Sequence, residues 1–212
     1  MTAYVLAAAV LVPRAVPPPG VDPAAYAAAL LDDAFDVLDD LAGVTAYVAA
    51  APGDAPAAGP VLTIPAPGDA AAALDALAAT GATIGAVTAG DAPDLPGLLV
   101  GKLFGACEDR PAGVLPSSDG RLVGLAARLP RPGWLDGATL DVSLDWLHER
   151  APVKAVQVGP GWHRLTDPTA IKDLDPRLEG WPRTRALLAG YSAPAASGPV
   201  TPSGPATPSG PS

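Results

Sequence analysis

Cysteine is almost absent from this chain: Cys107 stands alone among 212 residues. No internal disulfide can form, which suits a reducing compartment such as the cytoplasm. Two histidines and one cysteine cannot supply the usual zinc spacings. Aromatic residues are scarce at 5%, and much of the 49% apolar content is alanine. The core must therefore close by tight helix–sheet packing of small side chains rather than around clusters of rings. Cations are outnumbered, 13 Lys and Arg against 22 Asp and Glu, for a net charge of −9. No basic stripe is visible, so an extended nucleic-acid backbone is excluded as a natural partner, and an acidic surface disfavours anionic membranes. Also missing are a P-loop, a Gly-x-Gly-x-x-Gly turn after the first strand and a Ser/His/Asp ordering. The apolar run from Tyr4 to Val12 is too short to span a bilayer. It lacks a positive flank and stops at Pro13, so it reads as a first strand rather than a signal peptide.

What is present is an alternation of short apolar strands and capped helices. Thr2 to Val12 predicts a strand buried on both faces. The stiff loop Pro13–Gly20 follows, and Asp22-Pro23 then opens a helix, with Asp as cap and Pro at its first position. Tyr26, Leu30, Ala34, Val37, Leu38 and Leu41 recur at helical spacing, and Gly43 ends the run. Asp32, Asp33, Asp36, Asp39 and Asp40 fall mostly off that stripe and read as a solvated face. Val44–Ala50 and Val61–Ile64 predict strands, and Asp69 caps a helix over Ala70–Thr80. A further helix is expected from Pro96 to about Cys107, with Cys107 as a buried small side chain. Ala112–Pro116 and Leu122–Leu129, joined by Ser117-Ser118-Asp119-Gly120, predict a hairpin. A short helix near Leu144, a strand over Val153–Val158, a brief helix from Asp167-Pro168 and a last one over Trp181–Leu188 complete the series.

The chain is organised around Thr83 to Ala89, a small, apolar, β-branched run that predicts a buried central strand. Directly after it stands Gly90-Asp91-Ala92-Pro93-Asp94-Leu95-Pro96. Carboxylates at the exit of a strand sit where open α/β sheets bind ligands. Asp91 and Asp94 could hold a divalent ion that carries a diphosphate; alternatively Asp94 caps the next helix and Asp91 is a solvated turn residue. Trp162-His163-Arg164 could line a pocket, or Trp162 could pack on the last helix. His148 reads as exposed.

The order of elements implies one domain over residues 1–190, a three-layer α/β/α arrangement on a mostly parallel sheet, with an antiparallel hairpin at one side. Residues 191–212, with Thr-Pro-Ser-Gly-Pro twice, have no apolar period and no charge and are expected to be disordered.

Gly90, Asp91, Pro93, Asp94, Leu95 and Pro96, then Pro116, Asp119 and Gly120, then Gly124-Leu125, resemble a bacterial family of glycosyltransferase-like proteins of the A-type, nucleotide-diphosphosugar transferase (Rossmann-like) fold. Phospholactate guanylyltransferase and other nucleotidyltransferases share that superfamily. Asp167-Pro168 and Leu30-Leu31-Asp32-Asp33 are similar to further elements of it. The resemblance implies a transferase acting on a nucleotide or nucleotide sugar and a small-molecule acceptor. It implies Mg²⁺ or Mn²⁺ at Asp91 and Asp94, phosphate or substrate contacts at Arg14, Gly90 and Gly120, and Asp119 as a candidate base. The first loop departs from the family pattern. Arg14 is its single cation, where several are usual, and prolines stand where backbone amides could serve phosphates. A catalytically degenerate relative acting as a binding or scaffold module is the alternative.

Overall fold

The computed structural model describes residues 4–54, 56–175, 177–178 and 180–189. The expected disorder of 191–212 lies outside these residues. Seven strands form one sheet: β1 (Leu6–Leu11), β2 (Val44–Ala50), β3 (Val61–Thr63), β4 (Ile84–Ala89), β5 (Ala112–Pro116), β6 (Leu122–Arg128) and β7 (Val156–Val158). Their order across the sheet is β3-β2-β1-β4-β6-β5-β7. β1 pairs in parallel with β2 and β4, β2 with β3, and β5 with β7. Among these strands only β6 runs against its neighbours, β4 and β5. The mostly parallel sheet with one antiparallel insertion is as the sequence implies.

The helices are α1 (Pro23–Asp39), α2 (Ala70–Ala79), α3 (Gly97–Asp109), α4 (Leu144–Arg150) and α5 (Pro182–Leu188), with 3-10 turns at Gly133–Leu135 and Pro168–Asp173. Their starts follow the expected caps. Asp22, Asp69 and Ser143 accept from the amides of Ala25, Ala72 and Trp146, each satisfying one donor the first turn leaves over. Proline at the start of α1 costs nothing because its missing N–H would have had no partner.

Alternate residues of β1 face opposite ways, the period of a strand. Ala7, Ala9 and Leu11 join Leu74 and Leu77 of α2, with Leu135 and Leu147 beyond. Ala8 and Val10 meet Leu31 and Leu38 of α1 together with Val100 and Phe104 of α3. Helices thus cover both faces, and β4 is buried at every position. Alanine on the strands lets the helices approach closely. Gly85 shows how closely, since a Cβ there would lie 3.2 Å from Leu77 Cδ1 and 3.0 Å from Leu129 Cδ1. Cys107 is buried, as expected, and burial lifts its thiol pKa to about 11.

A third cluster joins Tyr26 and Leu30 of α1 to Leu165, Leu174, Trp181 and Leu188. It brings a correction. Asp33 does not belong to a solvated face: it is buried, and its carboxylate accepts the amides of Arg183 at 3.1 Å and Thr184 at 2.7 Å. It caps α5 from another helix, a pairing that helical spacing cannot reveal.

Candidate functional site

β4 and β5 run the same way, because each lies antiparallel to β6. The loops after β1, β4, β5 and β7 consequently gather at one end of the sheet. Gly90 is the tightest point there. A Cβ on it would fall 2.3 Å from Leu11 O, so only glycine lets the exit of β4 lie against the exit of β1. Gly120, at φ +84° in open space, serves the tight turn between β5 and β6.

A crevice of about 170 Å³ opens between these loops, lined among others by Arg14, Gly68, Gly90, Asp91, Arg121 and Arg164. Three arginines from three separate loops thus face one small space in an acidic chain. Arg14 is exposed, and no carboxylate among the described residues pairs with it. Arg121 is half-exposed, with Asp119 at 3.7 Å and Asp141 at 3.5 Å. Arg164 is nearly buried and fixed. Its Nε and Nη2 donate to the two oxygens of Asp91 at 2.8 and 2.9 Å. Its Nη1 reaches Asp141 Oδ1 at 3.1 Å, Leu122 O at 3.2 Å and Leu140 O at 3.3 Å. Burial works against the guanidinium's charge, but the hydrogen bonds and field of Asp91, and then of Asp141, outweigh it. The result is a pKa raised above the ordinary arginine value.

Asp94 has different partners. Its side chain is fully buried, Trp162 Nε1 donates to Oδ1 at 3.2 Å, and His163 Nε2 lies 2.9 Å from the same oxygen. The rings of Trp162 and His163 stack at 5.0 Å. Successive residues of one segment therefore divide between the two carboxylates: Arg164 to Asp91, Trp162 and His163 to Asp94. The amide of Leu165, next in the chain, donates to Asp91 O at 2.7 Å and holds the segment against the end of β4.

Neither of the simpler readings of these acids survives. Asp91 is not a solvated turn residue, being 3% exposed. Asp94 does not cap α3, whose N-cap position is Pro96 and whose first turn has no side-chain cap. Trp162 packs against the α1/α3 face and Asp94 rather than the last helix. His148 is exposed, as read.

Of the six residues singled out in the sequence, Arg14, Gly90 and Asp91 line the crevice. Asp94 is buried beside it, and Asp119 and Gly120 form the exposed turn whose Arg121 lines it. Asp119 Oδ1 accepts the Arg121 backbone amide at 3.2 Å, which fixes the turn. The residues not anticipated are Arg121 and Asp141, and Arg164 was read only as one of three residues of a loop that could line a pocket. For Arg164 a signal was present, a cation next to two rings in a loop, but nothing in linear sequence joins it to Asp91, 73 residues earlier.

The acids do not fit a divalent ion as they stand. Both oxygens of Asp91 are engaged by a guanidinium, and one oxygen of Asp94 is shared by two rings. A second cation within about 4 Å of Arg164 would meet a repulsion of about 4 kcal/mol per unit charge at an effective dielectric of about 20. Among the described residues, no group of three or more His, Cys, Asp or Glu is placed to hold a metal.

A larger cavity of about 580 Å³ lies between α3 and the β5–β7 edge and shares no lining residue with the crevice. Among the described residues Lys102 is the only charged side chain on its wall, so it brings no acid and cation together for chemistry. No described helix is long and apolar enough to cross a membrane.

No family model and no curated protein matches this chain. Solved structures do. It is similar to an inferred nucleotide-diphospho-sugar transferase from Desulfovibrio desulfuricans, with a TM-score of 0.63 at 19% identity over 88% of this chain and 95% of that one. It is also similar to 2-C-methyl-D-erythritol 4-phosphate cytidylyltransferase from Thermus thermophilus, with a TM-score of 0.51 at 18% identity over 80% and 96%. The fold is thus the α/β nucleotide-diphosphosugar transferase fold, as the sequence resemblance implied.

Proposed function

We propose that the crevice at the ends of β1 and β4 binds the phosphates of a nucleotide or nucleotide sugar. The observation that carries this reading is the convergence of Arg14, Arg121 and Arg164 on one space in a chain of net charge −9. At about 170 Å³ the space suits a phosphate group and is smaller than the ~300 Å³ at which whole-ligand pockets begin. A neighbouring cleft of about 240 Å³, which also includes Val12 and is walled by Ala24, Ala28, Leu31 and Pro56 together with the carboxylates of Asp32 and Asp54, offers mixed surface for the uncharged remainder of the ligand. Arg14, exposed and without a carboxylate partner among the described residues, is the side chain freest to close on a phosphate, and charge-assisted hydrogen bonds are the strong ones. Arg121, half-exposed on the crevice wall, is the second.

The finer reading is transfer of a glycosyl or nucleotidyl group to a small-molecule acceptor approaching past the Asp119–Gly120 turn, in the cytoplasm. Similarity of fold to transferases supports it as analogy. The form in which Asp91 and Asp94 hold Mg²⁺ or Mn²⁺ requires Arg164 and His163 to give up these acids. That requirement favours a second reading, a relative that keeps the scaffold and the phosphate crevice and serves as a binding module.

Thermal unfolding with a panel of nucleoside diphosphates, triphosphates and nucleotide sugars tests the proposal. A ligand at about 100 times its dissociation constant adds about 2.7 kcal/mol of apparent stability. Arg14→Ala should leave the unliganded protein within about 0.5 kcal/mol of the parent and weaken the binding of the responsive ligand roughly tenfold, for the loss of one charge-assisted contact. A flat panel at millimolar ligand, or binding indifferent to Arg14→Ala, removes the phosphate assignment. Turnover of a responsive nucleotide sugar, followed by release of nucleoside diphosphate, separates transferase from binding module.

A further inference from the structure

Arg164 stands between two carboxylates that come from distant parts of the chain, Asp91 at the exit of β4 and Asp141 ahead of α4. It meets Asp91 through both oxygens and is held from a third direction by the carbonyls of Leu122 and Leu140. The guanidinium is therefore not a mobile surface group that happens to rest on an acid; five acceptors in a nearly closed site define its position. Two acids facing each other across a phosphate crevice are the donor set a hard divalent cation would take. Here a side-chain cation already sits on them.

We infer that Arg164 takes the place of a divalent ion: it occupies both oxygens of Asp91 and, together with Arg121, offsets Asp141 from within the chain, so the crevice receives phosphate without metal. The half of this statement that concerns phosphate rests on the proposed function; the half that concerns metal does not. The charge account agrees with it. Without Arg164, Asp91 and Asp141 would present two negative charges to an incoming anion, and Arg14 and Arg121 would be spent offsetting them. With Arg164 in place, Asp91 is paired through both oxygens and Asp141 is shared between Arg164 and Arg121, which leaves Arg14 to face the ligand. Nη2 of Arg164 carries a second N–H beyond the one donated to Asp91, and the residue lines the crevice wall.

The test uses the full chain and two probes, Mn²⁺ alone and inorganic pyrophosphate. Free Mn²⁺ is followed by electron paramagnetic resonance as protein is added. The wild-type protein should leave millimolar Mn²⁺ free, and it should bind pyrophosphate equally with EDTA or with Mn²⁺. Arg164→Gln, which keeps a polar side chain but no charge, should acquire one Mn²⁺ site roughly a hundredfold tighter than any in the parent. Adding Asp91→Asn to that variant should abolish the gained site. Stoichiometric Mn²⁺ binding by wild type that disappears in Asp91→Asn overturns the inference. So does pyrophosphate binding that requires Mn²⁺, or a folded Arg164→Gln that gains no site. If Arg164→Gln does not fold, the wild-type Mn²⁺ titration still decides the matter. Pyrophosphate that binds under no condition while Mn²⁺ stays free removes the phosphate reading and leaves Arg164 as the cation's substitute.

Discussion

Asp91 and Asp94 lie three residues apart and look interchangeable in the sequence, yet they live in different regions of the molecule. Asp91 faces the crevice, paired through both oxygens with a guanidinium that keeps its charge at every pH of interest. Asp94 does not line it and is fully buried, with one oxygen near both Trp162 and His163. The other oxygen of Asp94 has no partner among the described residues. The same residue type at the same strand exit thus yields one acid bound into a rigid ion pair and another placed among rings. The lesson is that spacing locates acids but does not say what will neutralise them. That is decided by a segment about 70 positions later, whose neighbouring side chains turn opposite ways.

The largest expected effect tests the ion pair. Asp91→Asn leaves Arg164 nearly buried with only Asp141 as a charged partner, and truncating one side of a buried pair costs about 3–5 kcal/mol. Urea unfolding should show this as a lowered midpoint at unchanged slope.

A smaller effect separates the surroundings of Asp91 from bulk behaviour at high pH. Burial, and then the negative field of Asp91, lift the Tyr26 hydroxyl from 10.0 to about 12. The unfolded chain therefore releases this proton first. Stability is unaffected below pH 10 and falls as pH rises from about 10 towards 12, by about 1–2 kcal/mol. Tyr26→Phe should flatten that alkaline limb in a stability–pH profile. At neutral pH it should change little, because the buried hydroxyl has no hydrogen-bond partner among the described residues to lose. A limb that persists in Tyr26→Phe assigns the alkaline loss to other groups, such as the buried Cys107.

The smallest effect belongs to the other acid. Asp94→Asn preserves an acceptor for Trp162 Nε1 and removes only the carboxylate's charge from that hydrogen bond, a loss of about 1 kcal/mol by denaturant titration. Equal costs for Asp91→Asn and Asp94→Asn would dissolve the contrast between the two sites.

Most of the architecture was legible in the sequence because its signals are local. Asp22-Pro23, Asp69 and Ser143 mark helix starts by their own chemistry, and the small β-branched run at β4 marks a strand buried on both faces. The Ser117–Gly120 turn with two apolar flanks marks the hairpin. Half of the crevice was legible for the same reason: Gly90 and Asp91 follow β4, and Arg14 follows β1. The other half was not, because Arg164, Asp141 and Arg121 reach it only through the fold. Asp33 taught the same limit elsewhere, since it sits among aspartates at helical spacing and its partners are some 150 residues away.

That last separation bears on how the protein is made. As the chain leaves the ribosome, α1 is complete after about forty residues, but Asp33 then waits for Arg183 and Thr184 to emerge before its carboxylate meets the donors it has in the finished fold. The early helix cannot adopt its final packing until nearly the whole domain has been synthesised. A chain cut short before residue 183 would lack the two backbone donors that Asp33 has in the finished fold, and its first helix would keep that acid in water.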